Sequence, residues 1–324
     1  MTSLIYDIGA NQDFEIVLEA VTSDGFALRH ASKMLKNDRR IVLAAVNKNG
    51  CSLMWANDAL RNDRQVVMDA VNQDGFAFEY CSDNLKNDRE IILKAVQTYG
   101  GVLMDNEISD KFKNDREIVL SAVKKPIDSS FDQIEILKYI SIELQNDYEV
   151  ILETVKYNGN YLKNISNIFQ NDYEIVLAAI NNNAHVLKYA NPILQNNYNL
   201  VFIAVSQENK NGLALQYASE DLKNNRQIVL AAVQQCGISL QYASEELKND
   251  YEICLYAVKH PIVYSKCNSN DSHLCNVQQY ISNKLIHNYD IVFNTVKHNG
   301  LLLKNQLSKY QNNFEIVLEA VKQN

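Results

Sequence analysis

Glycine and proline are scarce in this chain, which has 10 glycines and 3 prolines among 324 residues. A β-protein built on many tight turns needs more of both residue types, so the composition argues against an all-β fold. The six cysteines show no framework of paired spacings, which favours a reducing compartment over a disulfide-rich secreted domain. No apolar run approaches the roughly 20 residues that a membrane-spanning helix requires.

An excess of basic residues is also missing. The chain has 31 Lys and Arg against 39 Asp and Glu, a formal net charge of −8. This balance disfavours a general binder of nucleic acids or anionic membranes. The first residues, Met1 to Asp7, lack the basic start and apolar core of a signal peptide. We therefore expect a cytoplasmic protein with no membrane partner.

Repetition is the dominant feature of the sequence. Residues 37–50 read NDRRIVLAAVNKNG and residues 62–75 read NDRQVVMDAVNQDG. Taking the second residue of this motif as the anchor gives twelve copies: Asp13, Asp38, Asp63, Asp88, Asp115, Asp147, Asp172, Asn197, Asn225, Asp250, Asn288 and Asn313. Seven of the eleven intervals are 25 residues long, and the longer ones predict insertions near residues 124–138 and 259–279.

Each copy carries the start and stop signals of a helix. Asn87 and Glu90 form the N-x-x-E pattern of a capping box, which predicts Asn87 as the N-cap. A glycine such as Gly100 follows the apolar stretch and is expected to end the helix in a left-handed conformation. The pattern predicts a helix of roughly 11 residues.

A second, shorter helix is predicted between successive copies, for example within residues 26–36. In the long helix, the position seven residues after the anchor is Ala in ten copies and Thr in two, which indicates close contact between neighbouring repeats. The sequence therefore predicts an all-α protein, an α-solenoid of about twelve helix-turn-helix repeats of ~25 residues. We expect one array over residues 1–324.

Two motifs resemble a known family. They are L-K-N-D-R-E-I-V-L-A-A-V-x-x-x-G, as in residues 85–100, and A-L-Q-Y-A-S-E-x-L, as in residues 214–222. The chain resembles the repeat family catalogued as domain of unknown function 4116, best over residues 26–123 and 213–258. The resemblance implies tandem helical repeats of a kind found in giant viruses, intracellular bacteria and protists. It brings no activity, cofactor or catalytic residue with it. If the chain is viral, the expected location is the host cytoplasm.

A basic column is the first candidate for partner binding. It consists of Arg39, Arg64, Arg89, Arg116 and Arg226, each directly after an anchor. Such a ladder could hold an acidic or phosphorylated partner. The alternative, which we favour, is that the arginines pair with the acidic columns of neighbouring repeats. Other copies have Tyr148, Tyr173 and Tyr198 at this position, whereas a nucleic-acid reader would need a sustained basic stripe.

A variable column lies six residues after the anchor and differs strongly between copies, while its neighbours barely change. We expect this position to face solvent or a partner, and we expect partner choice to depend on its members. The candidates are Asp69, Lys94, Glu153, Ile203 and Tyr256. The alternative interpretation is an unconstrained solvent-exposed face.

An aromatic column recurs on the short helices: His30, Trp55, Tyr80, Tyr139, Tyr189, Tyr217, Tyr242 and Tyr280. It either forms a peptide-binding face or fills the gaps between repeats, and we favour packing.

Signatures of catalysis are missing: the chain has no glycine-rich phosphate loop, no G-x-S-x-G and no H-E-x-x-H. Cys267, Cys275, His260 and His273 lack the tight spacing of zinc ligands. We therefore predict no enzyme activity, no cofactor and no metal. The predicted function is a non-catalytic scaffold for an unidentified protein partner. A nucleic-acid-binding repeat protein, a host-directed effector and an enzyme with an unrecognised site are the alternatives.

Overall fold

The computed structural model describes residues 13–125, 134–206, 212–260 and 277–322. These residues form helices and turns, with no strand among them, so the predicted all-α class is confirmed. Each of the twelve anchors precedes one long helix. The long helices are Phe14–Ser23, Arg39–Lys48, Arg64–Gln73, Arg89–Val96, Arg116–Val123, Tyr148–Tyr157, Tyr173–Asn182, Tyr198–Ser206, Arg226–Gln235, Tyr251–Lys259, Tyr289–His298 and Phe314–Val321.

The long helix forms because its apolar residues repeat at helical spacing. In Arg39–Lys48, the side chains of Ile41, Val42, Ala45 and Val46 are completely buried. These positions lie three, four, seven and eight residues after the anchor and make one continuous apolar face. Burial of this face against other elements stabilises a helix that would be marginal alone at this length.

The predicted N-cap is wrong by one residue. Asp88, not Asn87, caps the helix Arg89–Val96, and its carboxylate accepts hydrogen bonds from the backbone N–H groups of Glu90 and Ile91. Asp88 has an extended backbone, which lets its side chain reach those amides. Asn87 instead ends the short 3-10 segment Leu85–Asn87. The capping-box prediction failed because the aspartate after the asparagine itself accepts from the free amides of the helix.

The second element of each repeat is mainly a 3-10 helix rather than the predicted second α-helix. In Gly25–His30, the side chain of Asp24 accepts from the N–H of Phe26, and Ala27 and Leu28 are buried. 3-10 turns are frequent connectors between α-helices. The 3-10 helices of this type are Gly25–His30, Gly50–Trp55, Gly75–Tyr80, Gly100–Met104, Gly159–Lys163, Ala184–Tyr189, Gly212–Tyr217, Gly237–Tyr242, Val277–Tyr280 and Gly300–Asn305.

A short third element leads into the next long helix. It is a 3-10 turn at Leu35–Asn37, Leu85–Asn87, Leu144–Asn146 and Leu247–Asn249. It is a single α-helical turn at Asp58–Arg61, Asp110–Lys113, Asn167–Gln170, Pro192–Gln195, Glu220–Lys223 and Ser308–Gln311. The helix Ile134–Tyr139 takes the place of a 3-10 helix in its repeat.

The recurring glycine begins the 3-10 helix, so its predicted role as a left-handed helix end is wrong. It is favoured because the next repeat comes very close. A Cβ on Gly50 would lie 2.3 Å from the carbonyl oxygen of Ala70, and one on Gly75 would lie 2.3 Å from that of Ala95. Real Cβ atoms do not approach backbone oxygen atoms so closely. The glycine and alanine columns are therefore two sides of one contact between repeats.

The chain divides into two compact units, Met1–Tyr157 (unit 1) and Asn158–Asn324 (unit 2). Within each unit, every long helix packs against the next long helix, and the 3-10 helices form a second row beside them. Each unit is thus a stack of two-layered repeats, as expected for an α-solenoid. That residues 1–324 form a single array stays a prediction.

Polar contacts also connect successive repeats. The backbone N–H of Ser82 donates to the carbonyl of Arg61 at 3.0 Å, and the Ser82 hydroxyl donates to the side chain of Asn62. In unit 2, the backbone N–H of Ser244 donates to the carbonyl of Lys223, and its hydroxyl donates to the side chain of Asn224. The asparagine of the N-D motif therefore holds the following repeat rather than capping its own helix.

The two predicted insertions fall largely outside the described residues. The first, near residues 124–138, includes residues 126–133, and the second, near 259–279, includes residues 261–276. The adjoining helices Arg116–Val123 and Tyr251–Lys259 end where the insertions were expected to begin.

Candidate partner-binding surface

The basic column forms ion pairs from one repeat to the next. The guanidinium of Arg89 donates to Asp115, the N-cap of the following long helix, at 2.7 Å and to Glu117 in its first turn at 2.6 Å. The other members behave alike: Arg39 pairs with Asp63, Arg64 with Asp88 and Glu90, Arg116 with Asp147 and Glu149, and Arg226 with Asp250 and Glu252. The structure favours the interpretation of this column as a clamp between repeats. Partner binding by these arginines stays a prediction.

Tyrosines replace the arginines in several repeats and make the equivalent contact. The hydroxyl of Tyr251 donates to Asp290 at 2.7 Å, and that of Tyr289 donates to Glu315 at 2.6 Å. Tyr198 reaches Gln227 at 2.8 Å. In these repeats the column therefore donates a hydrogen bond to the next repeat whether its residue is charged or neutral.

The clamp shifts the ionisation of the aspartates that also cap the helices. Hydrogen bonds from Arg89, and from the N–H groups of Ile118 and Glu117, lower the pKa of Asp115 and outweigh the opposing effect of burial. Hydrogen bonding to Arg116 lowers the pKa of Asp147 in the same way. The N-caps Asp38, Asp63 and Asp88 of unit 1 also have a lowered pKa.

These shifts predict acid sensitivity of unit 1. A carboxyl group with a lowered pKa in the folded state contributes stability above its unfolded pKa, about 3.9 for Asp, and this contribution disappears as the pH falls through the folded value. We expect the urea midpoint of unit 1 to fall between about pH 5 and about pH 3. Fluorescence of Trp55, the one tryptophan of the chain, reports this transition. The variant with Arg89→Gln and Arg116→Gln should show a flatter dependence, and an identical slope would contradict the assignment.

The variable column lies half-buried at the surface of the long helices. Asp69, Lys94 and Glu153 belong to unit 1, whereas Ile203 and Tyr256 belong to unit 2. Asp69 accepts a hydrogen bond from Gln65 at 2.9 Å. Glu153 pairs with Lys156, and the ring of Tyr256 stacks on His260 with centroids 6.2 Å apart. The side chains reach the surface as expected, although Ala231 of the same column is buried. Their role in partner choice stays a prediction.

An apolar row beside the variable column was missed by sequence reasoning. It lies five residues after each N-cap and is half-buried throughout unit 1: Leu18, Leu43, Met68, Leu93, Leu120 and Leu152. The signal was available, because this position is apolar in all twelve copies although it lies next to a freely varying one. We call the two rows together the long-helix face. It combines an apolar strip with a changing polar border.

The aromatic column lies on the other layer, along the 3-10 helices. All eight members are half-buried, and several contact rings of neighbouring elements. Phe26 and Trp55 meet edge to face with centroids 5.2 Å apart, and His185 and Tyr217 do so at 6.3 Å. These pairs bridge successive repeats, which favours the packing interpretation.

A metal site is not formed by the described residues: no three His, Cys, Asp or Glu side chains among them are arranged to hold an ion. Of the loop residues considered from the sequence, Cys267, His273 and Cys275 lie outside the described residues, whereas His260 stacks on Tyr256. Across the described residues, each helix is too short or too polar to cross a bilayer.

The stacked repeats within each unit define an α-helical repeat protein. The chain belongs to the family described as domain of unknown function DUF4116. The family model matches residues 13–61, 63–105, 134–170, 147–195, 172–210, 197–247 and 225–270. The overlapping matches agree with a tandem array, and the resemblance inferred from the motifs is confirmed. No curated protein and no solved structure is similar enough to the chain to count as a match.

Proposed function

We propose that the protein is a non-catalytic scaffold that binds a protein partner on its long-helix face. The observation that carries the proposal is the half-buried apolar row that runs beside side chains of changing charge on successive long helices. Protein interfaces combine an apolar centre with a polar border that provides selectivity. The basic column contributes less to this proposal, because carboxylates of the chain already neutralise its guanidinium groups.

The proposal includes a reducing, cytoplasmic location. Among the described residues, Cys51, Cys81, Cys236 and Cys254 are free thiols. Burial raises the pKa of Cys81 and of Cys254 to about 12, which keeps these thiols protonated and unreactive. If the chain is viral, its partner is a host protein and the scaffold acts as an effector.

The test compares two charge-swapped proteins by affinity purification and quantitative mass spectrometry. Asp69→Lys with Lys94→Glu alters the long-helix face at two adjacent helices. Lys33→Glu with Asp83→Lys makes the same swap at exposed turn residues and serves as the matched control.

We expect to find a partner protein that wild type and the control variant retain in equal amounts. The face variant should retain at least about tenfold less of it, equivalent to about 1.4 kcal/mol of binding free energy. Calorimetry with the purified partner protein must then give equal affinities for wild type and control and a weaker affinity for the face variant. Equal retention by both variants would refute the assignment of the face. Nucleic acid that copurifies with wild type and is released by salt would instead support the nucleic-acid alternative.

A further inference from the structure

The repeat that contains the 3-10 helix Gly100–Met104 differs from its counterparts in two ways. The residues that make both differences line one cavity of about 380 Å³ in unit 1. The first is the pair Tyr99 and Gly101. Most repeats have Asp or Asn where Tyr99 stands and a larger side chain where Gly101 stands, as with Asp74 and Phe76. The ring of Tyr99 covers the bare backbone of Gly101: a Cβ there would lie 2.5 Å from Tyr99 Cζ. The exchange therefore places an aromatic ring in the wall of the cavity.

The second difference is a two-residue lengthening, because Asp88 and Asp115 are 27 residues apart instead of 25. The longer segment carries Asp105 and Glu107, and both carboxylates contact the ammonium group of Lys86. The Lys86 side chain is only 9% exposed. In the preceding repeats the equivalent residues, Lys36 and Arg61, donate to the backbone carbonyls of Arg29 and Tyr80 instead. The lengthened turn thus binds an ammonium group that belongs to the chain itself.

Aromatic rings also line the cavity. Phe76 and Tyr99 belong to its lining, and their rings meet with centroids 5.6 Å apart and planes at 65°. Aromatic rings attract ammonium groups, so Phe76 and Tyr99 give the cavity a lining that suits an alkylated ammonium. Glu79 also lines the cavity, so the lining carries three carboxylates and one ammonium group, a formal charge of −2.

We propose that this cavity binds an organic ammonium group, carried either by a small molecule such as choline or by a methylated lysine side chain. A cavity of this size lies within the range of about 300–1,000 Å³ typical of small-ligand pockets. The negative charge disfavours an anion, and the rings favour an alkylated ammonium over a hydrated metal ion. The site lies on the 3-10 layer and is independent of the long-helix face.

Substitution of Lys86 tests the proposal, because the direction of the expected change in ligand affinity is known. Lys86→Gln removes the internal competitor and frees Asp105 and Glu107 for the ligand. Glutamine is suited to this position, since Gln170 and Gln195 occupy it in other repeats and donate to backbone carbonyls. Calorimetric titration of the full chain with choline should therefore show affinity at least about threefold tighter for Lys86→Gln than for wild type. Glu79→Gln should weaken it by about the same factor.

Lys113→Gln, at the equivalent position of the next repeat, is the matched control and should leave the affinity unchanged. A peptide with one trimethyl-lysine is titrated in parallel. Tighter binding of the peptide than of choline assigns the ligand to a protein side chain, and the reverse assigns it to a small molecule.

The proposal would be overturned if neither choline nor the trimethyl-lysine peptide bound saturably to wild type or to Lys86→Gln. Binding of inorganic phosphate that is abolished by Lys86→Gln would also overturn it and would define an anion site. If Lys86→Gln does not fold, the loss of affinity in Glu79→Gln and in Tyr99→Leu decides the question.

Discussion

Gly100→Ala is expected to lower the free energy of unfolding of unit 1 by about 2 kcal/mol, because the new methyl group would overpack the contact between repeats. Its Cβ would lie 2.3 Å from the carbonyl oxygen of Ala122, an atom that cannot move without shifting the next long helix. The cost stays below that of complete loss of folding, since Ala184 stands at the same position of another repeat and is accommodated there. Urea unfolding followed by Trp55 fluorescence measures the change.

The neighbouring glycine supplies the control. Gly101→Ala brings its Cβ against the ring of Tyr99, the movable end of a side chain, so the cost should be below about 1 kcal/mol. If the two variants were equally stable, the close approach of the repeats would not be the reason for the glycine column.

Ile92→Ala should destabilise unit 1 by about 4 kcal/mol, the largest single effect that we expect. Ile92 is completely buried in the middle of Arg89–Val96, and removal of its side chain leaves a cavity in the unit's hydrophobic core. The adjacent Leu93→Ala should cost only about 1 kcal/mol, because Leu93 is half-buried on the long-helix face. Trp55 fluorescence in urea again gives both values. Similar costs would mean that Leu93 is part of the core and that the proposed face is not a surface.

Local sequence patterns predict some elements of this fold and miss others. The long helices were predictable because Ile41, Val42, Ala45 and Val46 are apolar at helical spacing, and spacing is a local property of the chain. The N-cap was missed because a local rule assigned Glu90 to its own helix end. In the folded chain, Glu90 pairs with Arg64 of the preceding repeat, a contact that no local pattern encodes.

The candidate site also has one feature that the sequence could predict and one that it could not. The variable column could be predicted, since variation beside invariant positions indicates a surface. The cavity at Tyr99 could not, because it depends on a ring that lies across Gly101 and on a turn that brings Asp105 and Glu107 to Lys86.

The order of residues alone determined that the chain is helical, that its repeat is about 25 residues long, and that each repeat has an apolar side to cover. Tertiary structure decided how successive repeats meet: glycine against an alanine carbonyl, arginine against the carboxylates of the next helix, serine against asparagine. The physical reason is that helical spacing relates residues only a few positions apart in the chain. A contact between repeats instead joins atoms some 25 residues apart, which only stacking brings together.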